Sequence, residues 1–365
     1  MAAVDYALVG GGLQAGLIAL AVRAAQPHAR IAIVERGAAL GGNHTWCFHA
    51  GDVPPGATWL APLVAVRWSG YDVMFPRTRR TLDGEYACVT SARLDAVVRP
   101  VVDELLLGTT ALAIEADRVE TTAGTLRARM VIDARGPAQL GVRCGWQTFL
   151  GQEVVVADHG LVRPIVMDAT VAQRGGFRFM YVLPLAADRL LIEDTCFTSA
   201  PYLDTAACRA AIAAYAEGRG WVLGEVVREE SGVLPLPLAL EVAPPGAPLV
   251  AGYGGGYFHP VTGYSFPIAA RLAAAVATGS PAALVALHRA HVAQLPFALR
   301  LNRMLFNWFA AEQRTHVLER FYRMPEPTIR RFYALALTTL DRARFFVGRP
   351  PRGLSLRGVL GGEAR

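Results

Sequence analysis

The N-terminal stretch restricts the fold more than any other part of the chain. Val4 to Val9 form a short apolar run, Gly10-Gly11-Gly12 follow at once, and Leu13 to Ala25 read as a helix; a second apolar run, Ile31 to Val34, then ends at Glu35. Glycines between a strand and a helix fit the pattern G-x-G-x-x-A. The first makes a tight turn, and the second lets a pyrophosphate approach the N–H groups at the helix start. Candidate cofactor contacts here are Gly10, Gly12, Leu13, Gln14 and Ala15, with Glu35 where a carboxylate would accept both hydroxyls of an adenosine ribose. Ala15 takes the place of the third glycine and Gly16 comes one position late, so the packing of helix on strand is expected to differ slightly.

A unit of this kind needs a larger sheet around it, and 365 residues suffice for two joined domains or one large α/β unit. Ala128 to Ile132 reads as a strand returning to the first sheet before Asp133-Ala-Arg-Gly136, with Asp133 a further cofactor candidate. Arg135 either reaches a phosphate or pairs with Asp133. A Gly/His/Pro-rich stretch covers Gly41 to Pro62, and a helix is predicted from about Ser91 to Leu106. From Gln152 to Phe197 the chain turns β-rich, which predicts an antiparallel second sheet. Helices are expected from Ala206 to Arg219 and from about Gly263 to Thr278, with a short strand at Leu249 to Gly252.

The second glycine cluster separates FAD from NAD. Leu249-Val-Ala-Gly-Tyr-Gly254-Gly255-Gly256 and His259-Pro-Val-Thr262-Gly263 form another strand, glycine loop and helix start, more than 230 residues after the first. Flavoproteins close around FAD in this way, with a late helix dipole favouring negative charge on the flavin pyrimidine ring. The expected fold is therefore α/β: a Rossmann-type FAD-binding domain with a parallel sheet, an antiparallel β-sheet substrate domain and a helical C-terminal part. The boundaries read as 1–60, 90–150 and 245–285 for the first, 61–89 and 151–244 for the second, and 286–365 for the third.

Two adjacent carboxylates, Glu193 and Asp194, close the apolar run that begins at Phe179. Ionised carboxylates beside apolar side chains lose hydration at high cost, so the pair needs a reason. Neighbours on a strand point to opposite faces, and the two cannot share one cavity. From spacing alone they read first as the charged flank of a hairpin.

Several blocks then resemble, in order, the bacterial lycopene β-cyclases, a family of FAD-dependent carotenoid cyclases. They are Gly41-Gly-Asn-His44-Thr-Trp46, Gln147-x-x-x-Gly151-Gln-Glu153, Phe179-x-Tyr181-x-Leu-Pro184-Leu, Glu193-Asp-Thr195 and His259-Pro-x-Thr-Gly-Tyr264. The likeness runs to about Ala270; beyond it the chain resembles the family only in character. Family members ordinarily carry a polar residue where Ala15 stands.

The resemblance implies that lycopene, or another acyclic carotenoid, is protonated at a terminal double bond, closed to a ring and deprotonated, with no net redox change. Glu193 would be the acid, kept protonated by an apolar pocket. Asp194 would support it as a partner of Thr195, and His259 would be catalytic or a structural histidine of the flavin loop. His44 and Trp46 would face the flavin or pack. FAD would act in its reduced form, with NAD(P)H as the external reductant. The rival reading is an FAD-dependent monooxygenase or dehydrogenase acting on an apolar isoprenoid, and a carotenoid carrier with a vestigial flavin site is a third.

Composition sets the surroundings. The chain is 53% hydrophobic and 18% charged, with mean hydropathy +0.30, yet has no uninterrupted apolar run of 18 residues; a membrane span is not expected. All 36 basic residues are Arg, and the net charge of +6, without a basic run, suits an anionic cofactor or lipid headgroups better than nucleic acid. Five cysteines without metal spacing suggest free thiols in a reducing cytosol and no bound metal. The start, Met1-Ala-Ala-Val-Asp-Tyr, lacks a basic leader, so no secretory signal is expected. Arg300 to Arg352 carries eleven Arg against four acids, with Phe321-Tyr322, Phe332-Tyr333 and Phe345-Phe346, and reads as a basic aromatic helical surface. That surface would rest on anionic lipid at the cytoplasmic side of the inner membrane, or else cover the substrate cavity. The oligomeric state is left open.

Overall fold

A computed structural model describes residues 3–136, 142–348 and 353. The expected β-α-β unit forms within the predicted limits: strand Val4–Val9, helix Leu13–Ala25 and strand Ile31–Val34. Val4–Val9 pairs in parallel with Ile31–Val34 on one side and Gly124–Asp133 on the other. Glu104–Leu106 extends the sheet beyond Ile31–Val34, and Leu249–Val250 joins the end of Gly124–Asp133 in parallel. An antiparallel meander, Ala111–Ile114 and Arg118–Thr121, completes the seven-stranded sheet. Gly10 turns the chain at φ +95, where a Cβ would meet the carbonyl oxygen of Ala134 at 3.0 Å. Only glycine accepts both the left-handed backbone and the close approach.

The second sheet has eight strands in the order Val226–Pro237, Cys144–Val155, Arg189–Thr198, Phe177–Ala186, Ile165–Asp168, Val66–Phe75, Thr78–Thr90, Thr45–His49. Only Ile165–Asp168 and Val66–Phe75 run parallel. Two segments assigned by sequence to the first unit sit in this sheet: Thr45–His49 pairs with Thr78–Thr90, and Cys144–Val155 begins before residue 151. Glycine-rich composition hid the first of these strands, because its five residues are bracketed by turn formers. The helix expected from Ser91 to Leu106 stops at Val98, as Pro100 cannot extend the ladder, and Glu104–Leu106 is a strand instead.

The sheet is covered on both faces. Along Arg189–Thr198, Leu190 and Ile192 pack with Ile212 and Ala216 of helix Thr205–Gly218, while Leu191 and Phe197 join the main core. That main core continues into helix Phe266–Ala277, which lies against Leu13–Ala25, and into helices Leu295–Trp308, Arg314–Phe321 and Glu326–Tyr333. The aromatic C-terminal segment is thus directed largely inward: Phe321, Tyr322 and Phe332 are buried rather than arrayed on a surface. Sequence alone gave the aromatic content but not which helix face meets the core. Residues 349–352 and 354–365 of the expected helical region lie outside the described residues. No helix among the described residues is long and apolar enough to cross a membrane.

Candidate functional site

The dinucleotide groove follows from backbone more than from side chains. Leu13, Gln14 and Ala15 are buried in the core, and Gln14 donates through Nε2 to the carbonyl of Ala269 at 3.2 Å, tying the first helix to the late one. What they offer a cofactor is main-chain N–H. Among the described residues no side chain caps the start of helix Leu13–Ala25, and a Cβ built on Gly12 or Gly136 would meet none of them within 4 Å. Glu35 lies beside this space and accepts the amides of Gly11 and Gly37, each at 2.6 Å. An open cradle of N–H groups with an adjacent carboxylate fits the pyrophosphate and ribose of a dinucleotide. Asp133 is bound by Arg135 through Nε and Nη2 at 2.9 and 2.7 Å, so the pairing reading of Arg135 holds. Gly254, Gly255 and Gly256 form a compressed turn in which a Cβ at Gly255 would sit 2.3 Å from the carbonyl oxygen of Val250.

From this loop Thr262 and Gly263 reach a cavity of about 560 Å³ between the second sheet and the C-terminal helices. Its walls are mostly apolar and aromatic, including Trp46, Tyr86, Phe179, Tyr181, Phe309 and Phe321, and His44 also lines it. Two carboxylates face it among the described residues, Glu193 and Glu230. The accessible part of Glu193 fronts the cavity, not bulk solvent, so burial pushes its carboxyl up to about 8; the charge of Glu230 adds to the effect. The hydroxyl of Thr195 donates to Glu193 and opposes the rise. Tyr181 stands opposite Glu193 in the neighbouring strand, and its hydroxyl lies 2.9 Å from that of Tyr86. On a separate part of the wall Tyr264 donates to Asp52 at 2.5 Å, and burial raises Asp52 to about 6.

The adjacent pair is split between the two faces of the sheet. Asp194 is buried on the face opposite the cavity and accepts from Arg178 Nε at 2.7 Å and Nη2 at 3.1 Å. The expected Asp194–Thr195 partnership does not form: residues two apart share a face of a strand, so Thr195 serves Glu193 instead. His259 is fully buried outside the cavity lining. Its Nδ1 accepts the Val261 amide at 3.2 Å and its Nε2 faces the Phe332 carbonyl at 2.9 Å, which makes it a neutral strut between the loop and helix Glu326–Tyr333. Burial holds it down to about 3.

Comparison with known proteins bears on this arrangement. Residues 5–357 match the family described as lycopene cyclase protein. The chain belongs to the lycopene cyclase family. It is 43% identical to a lycopene beta-cyclase of Pseudescherichia vulneris, over 95% of this chain and 94% of that one, and 42% identical to the Pantoea ananas protein of the same name, over 95% of each. For this cyclase family member the match continues well past Ala270, where the motif resemblance ended. Among solved structures it superposes on a geranylgeranyl bacteriochlorophyll reductase-like protein of Thermoplasma acidophilum with TM-score 0.61 at 13% identity, covering 96% of this chain and 97% of that one. A flavin-dependent brominase gives TM-score 0.63 at 14% identity, covering 94% and 97%. These two likenesses concern the fold.

Sequence reasoning missed Glu230, Arg228 and the Asp52–Tyr264 pair. A signal existed for the first: Glu229-Glu230 is a second pair of adjacent acids, just before the apolar run from Val233, and repeats the pattern of Glu193-Asp194. Asp52 has a local partner in the amide of His49, but its cavity partner Tyr264 comes from 212 residues away and leaves no local trace.

Proposed function

We propose that this chain is a lycopene β-cyclase, converting the linear ψ ends of lycopene to β-ionone rings by way of γ-carotene to β-carotene, with Glu193 as the proton donor. The observation that supports it most is the carboxyl of Glu193: protonated by burial near neutral pH, and set on the wall of an apolar aromatic cavity in a chain of this family. Glu193 gives its proton to the terminal double bond of the substrate. The C5=C6 double bond attacks the resulting C1 cation and closes a six-membered ring. A proton then leaves C6 to give the β-ring and one proton returns to the Glu193 carboxylate, so protons and electrons balance without an oxidant and the reaction is an intramolecular lyase or isomerase step. Thr195 holds the Glu193 carboxyl in place, while Trp46, Tyr86 and Tyr181 line an apolar space that excludes the water that would capture a cation.

FAD would be held by the helix start at Gly12, by Glu35 and by the loop Thr262–Gly263. When bound and reduced it supplies negative charge that stabilises a neighbouring cation, and NAD(P)H serves only to keep it reduced. A substrate that resides in a bilayer calls for peripheral docking on anionic lipid at the cytoplasmic face of the inner membrane. Phe346 and Val347 are exposed beside Arg320, which lines the cavity, and fit that role.

The test is an anaerobic assay with chemically reduced FAD. The wild-type protein should accumulate cyclised carotenoid while the flavin spectrum stays reduced. Glu193→Gln should bind FAD and lose at least about 10²-fold in rate. Unchanged ring formation in that variant would sink the assignment. Flavin oxidised in step with product would point instead to the monooxygenase or dehydrogenase reading. Sedimentation with anionic and neutral vesicles tests docking, which fails if neither pellet carries the protein.

A further inference from the structure

Glu193 does not face the cavity alone. Gly151 pairs with Glu193 in one neighbouring strand and with Glu230 in the other, so Glu230, Gly151 and Glu193 form one row across three strands. Strands about 4.8 Å apart put the two glutamate backbones about 10 Å from each other, within reach for two long side chains on one face. The middle position carries no side chain, and a Cβ there would stand 3.3 Å from the Cβ of Glu193. Gly151 itself thus puts no side chain between the two, and Leu191 Cδ1 reaches the gap from beside the row, 3.3 Å from where that Cβ would be.

The environments of the two differ. Glu193 has a hydroxyl donor, Thr195, and no cation. Glu230 is 4% exposed, is ion-paired with Arg228 and accepts from the Thr45 hydroxyl at 3.0 Å. Arg228 is itself fixed by Glu153 at 3.2 Å, Asn43 at 3.0 Å and Thr45 at 2.6 Å. The other titratable groups nearby are Tyr181 across the strand, Tyr86 bonded to it, Cys47 beside both tyrosines, Asp194 behind the sheet, and His44 and Cys88 beside Glu230. Glu153, two residues past Gly151 on the same face, is held by Arg228 and Arg189; Glu230 is the carboxylate in the row of Glu193 itself.

We propose that Glu230 is a positioning residue that acts through Glu193: its charge, fixed by Arg228 and Thr45, makes ionisation of the neighbouring carboxyl costly and so keeps the acid loaded across neutral pH. Two carboxyl groups close together do not both ionise readily, and the one that holds a cation takes the charge. The inference rests on Glu193 being the acid. It adds that the Asn43–Thr45 segment and the strand Val226–Pro237 set the pH range in which the acid works.

The experiment is the pH profile of cyclisation by the FAD-loaded protein, kept reduced, for wild type, Glu230→Gln, Glu230→Asp and Glu193→Gln. Removing the neighbouring charge lets Glu193 lose its proton earlier, so the alkaline limb of Glu230→Gln should move down by about one pH unit. Glu230→Asp keeps the ion pair but withdraws the charge by one methylene, and its limb should move the same way by a smaller amount. Infrared titration of the protonated carboxyl band, absent in Glu193→Gln, should follow the same order without reliance on turnover. A limb and band unmoved in Glu230→Gln, with Glu193→Gln inactive, overturn the role of Glu230 and leave the acid in place. If the Gln variant does not fold, an unmoved or raised limb in Glu230→Asp overturns it equally. Full activity in Glu193→Gln overturns the underlying reading as well.

Discussion

Glu193→Gln should change how stability depends on pH as well as activity. Glu193 holds its proton up to about pH 8 in the folded chain but releases it near 4.5 when unfolded. The folded state therefore binds the additional proton between those values. Its stability is fully present below about pH 4.5 and is lost as pH rises toward 8. At about 1.4 kcal/mol per pH unit the full interval corresponds to about 5 kcal/mol, and rearrangement of the site around the ionised carboxylate relieves part of that, leaving about 2–4 kcal/mol. The amide of Gln keeps the shape and can still accept from Thr195, but it does not ionise. Urea midpoints measured at pH 5 and pH 8.5 should then fall less in the variant than in the wild type by that amount, at constant m-value. Asp52, raised to about 6, contributes the same slope to both proteins and cancels in the difference. Equal slopes would refute the claim that burial holds this carboxyl protonated.

Two further substitutions probe the neighbouring parts of the site. Asp194→Asn removes the anion from a bidentate pair in which Arg178 and Asp194 expose 10% and 8% of their side chains, leaving a buried guanidinium unpaired. A loss of about 3–5 kcal/mol is expected in chemical unfolding, with turnover per folded molecule within a few-fold of wild type; a stable but inactive variant would put Asp194 in the chemistry. Gly12→Val should cost the protein without cofactor less than about 1 kcal/mol, because a Cβ there meets no atom within 4 Å. It would intrude on the space proposed for a pyrophosphate, so bound flavin measured by absorbance should drop at least about tenfold, and retention of flavin would argue against the groove.

What the sequence disclosed, and what it did not, follows the range of the interactions. The N-terminal β-α-β unit was legible to the residue because apolar runs, turn glycines and helix formers all act within a few positions. The opposite orientation of Glu193 and Asp194 was legible for the same reason, since strand alternation is local. Thr45–His49 escaped because its partner, Thr78–Thr90, is distant and its own flanks read as a loop. His259 stood at the centre of a recognisable block, yet its neutral strut role depends on the carbonyl of Phe332, 73 residues away. The C-terminal aromatics illustrate the converse error, in which content was plain but orientation was set by a core that no single helix specifies.

The two acid pairs, Glu193-Asp194 and Glu229-Glu230, explain one another. Each lies on a strand flanking Cys144–Val155, and each sends one carboxylate to the cavity and one to the opposite face. The outward members are satisfied by arginines: Asp194 by Arg178, and Glu229 by Arg209 at 2.6 and 2.8 Å. The first pair ties strand Arg189–Thr198 to its neighbour Phe177–Ala186 and the second ties Val226–Pro237 to helix Thr205–Gly218 behind the sheet, and a register slip of one residue would exchange the inward and outward members. The two carboxylates that face the cavity are then unequally served: Glu230 has the Arg228 guanidinium, which also holds Glu153, and Glu193 has the Thr195 hydroxyl. Arg228 serves Glu230, so Glu193 is the one left to be neutral. Under the proposed function, that imbalance is what would leave Glu193 as the acid that protonates the alkene, set by the spacing of four carboxylates and the glycine between two of them.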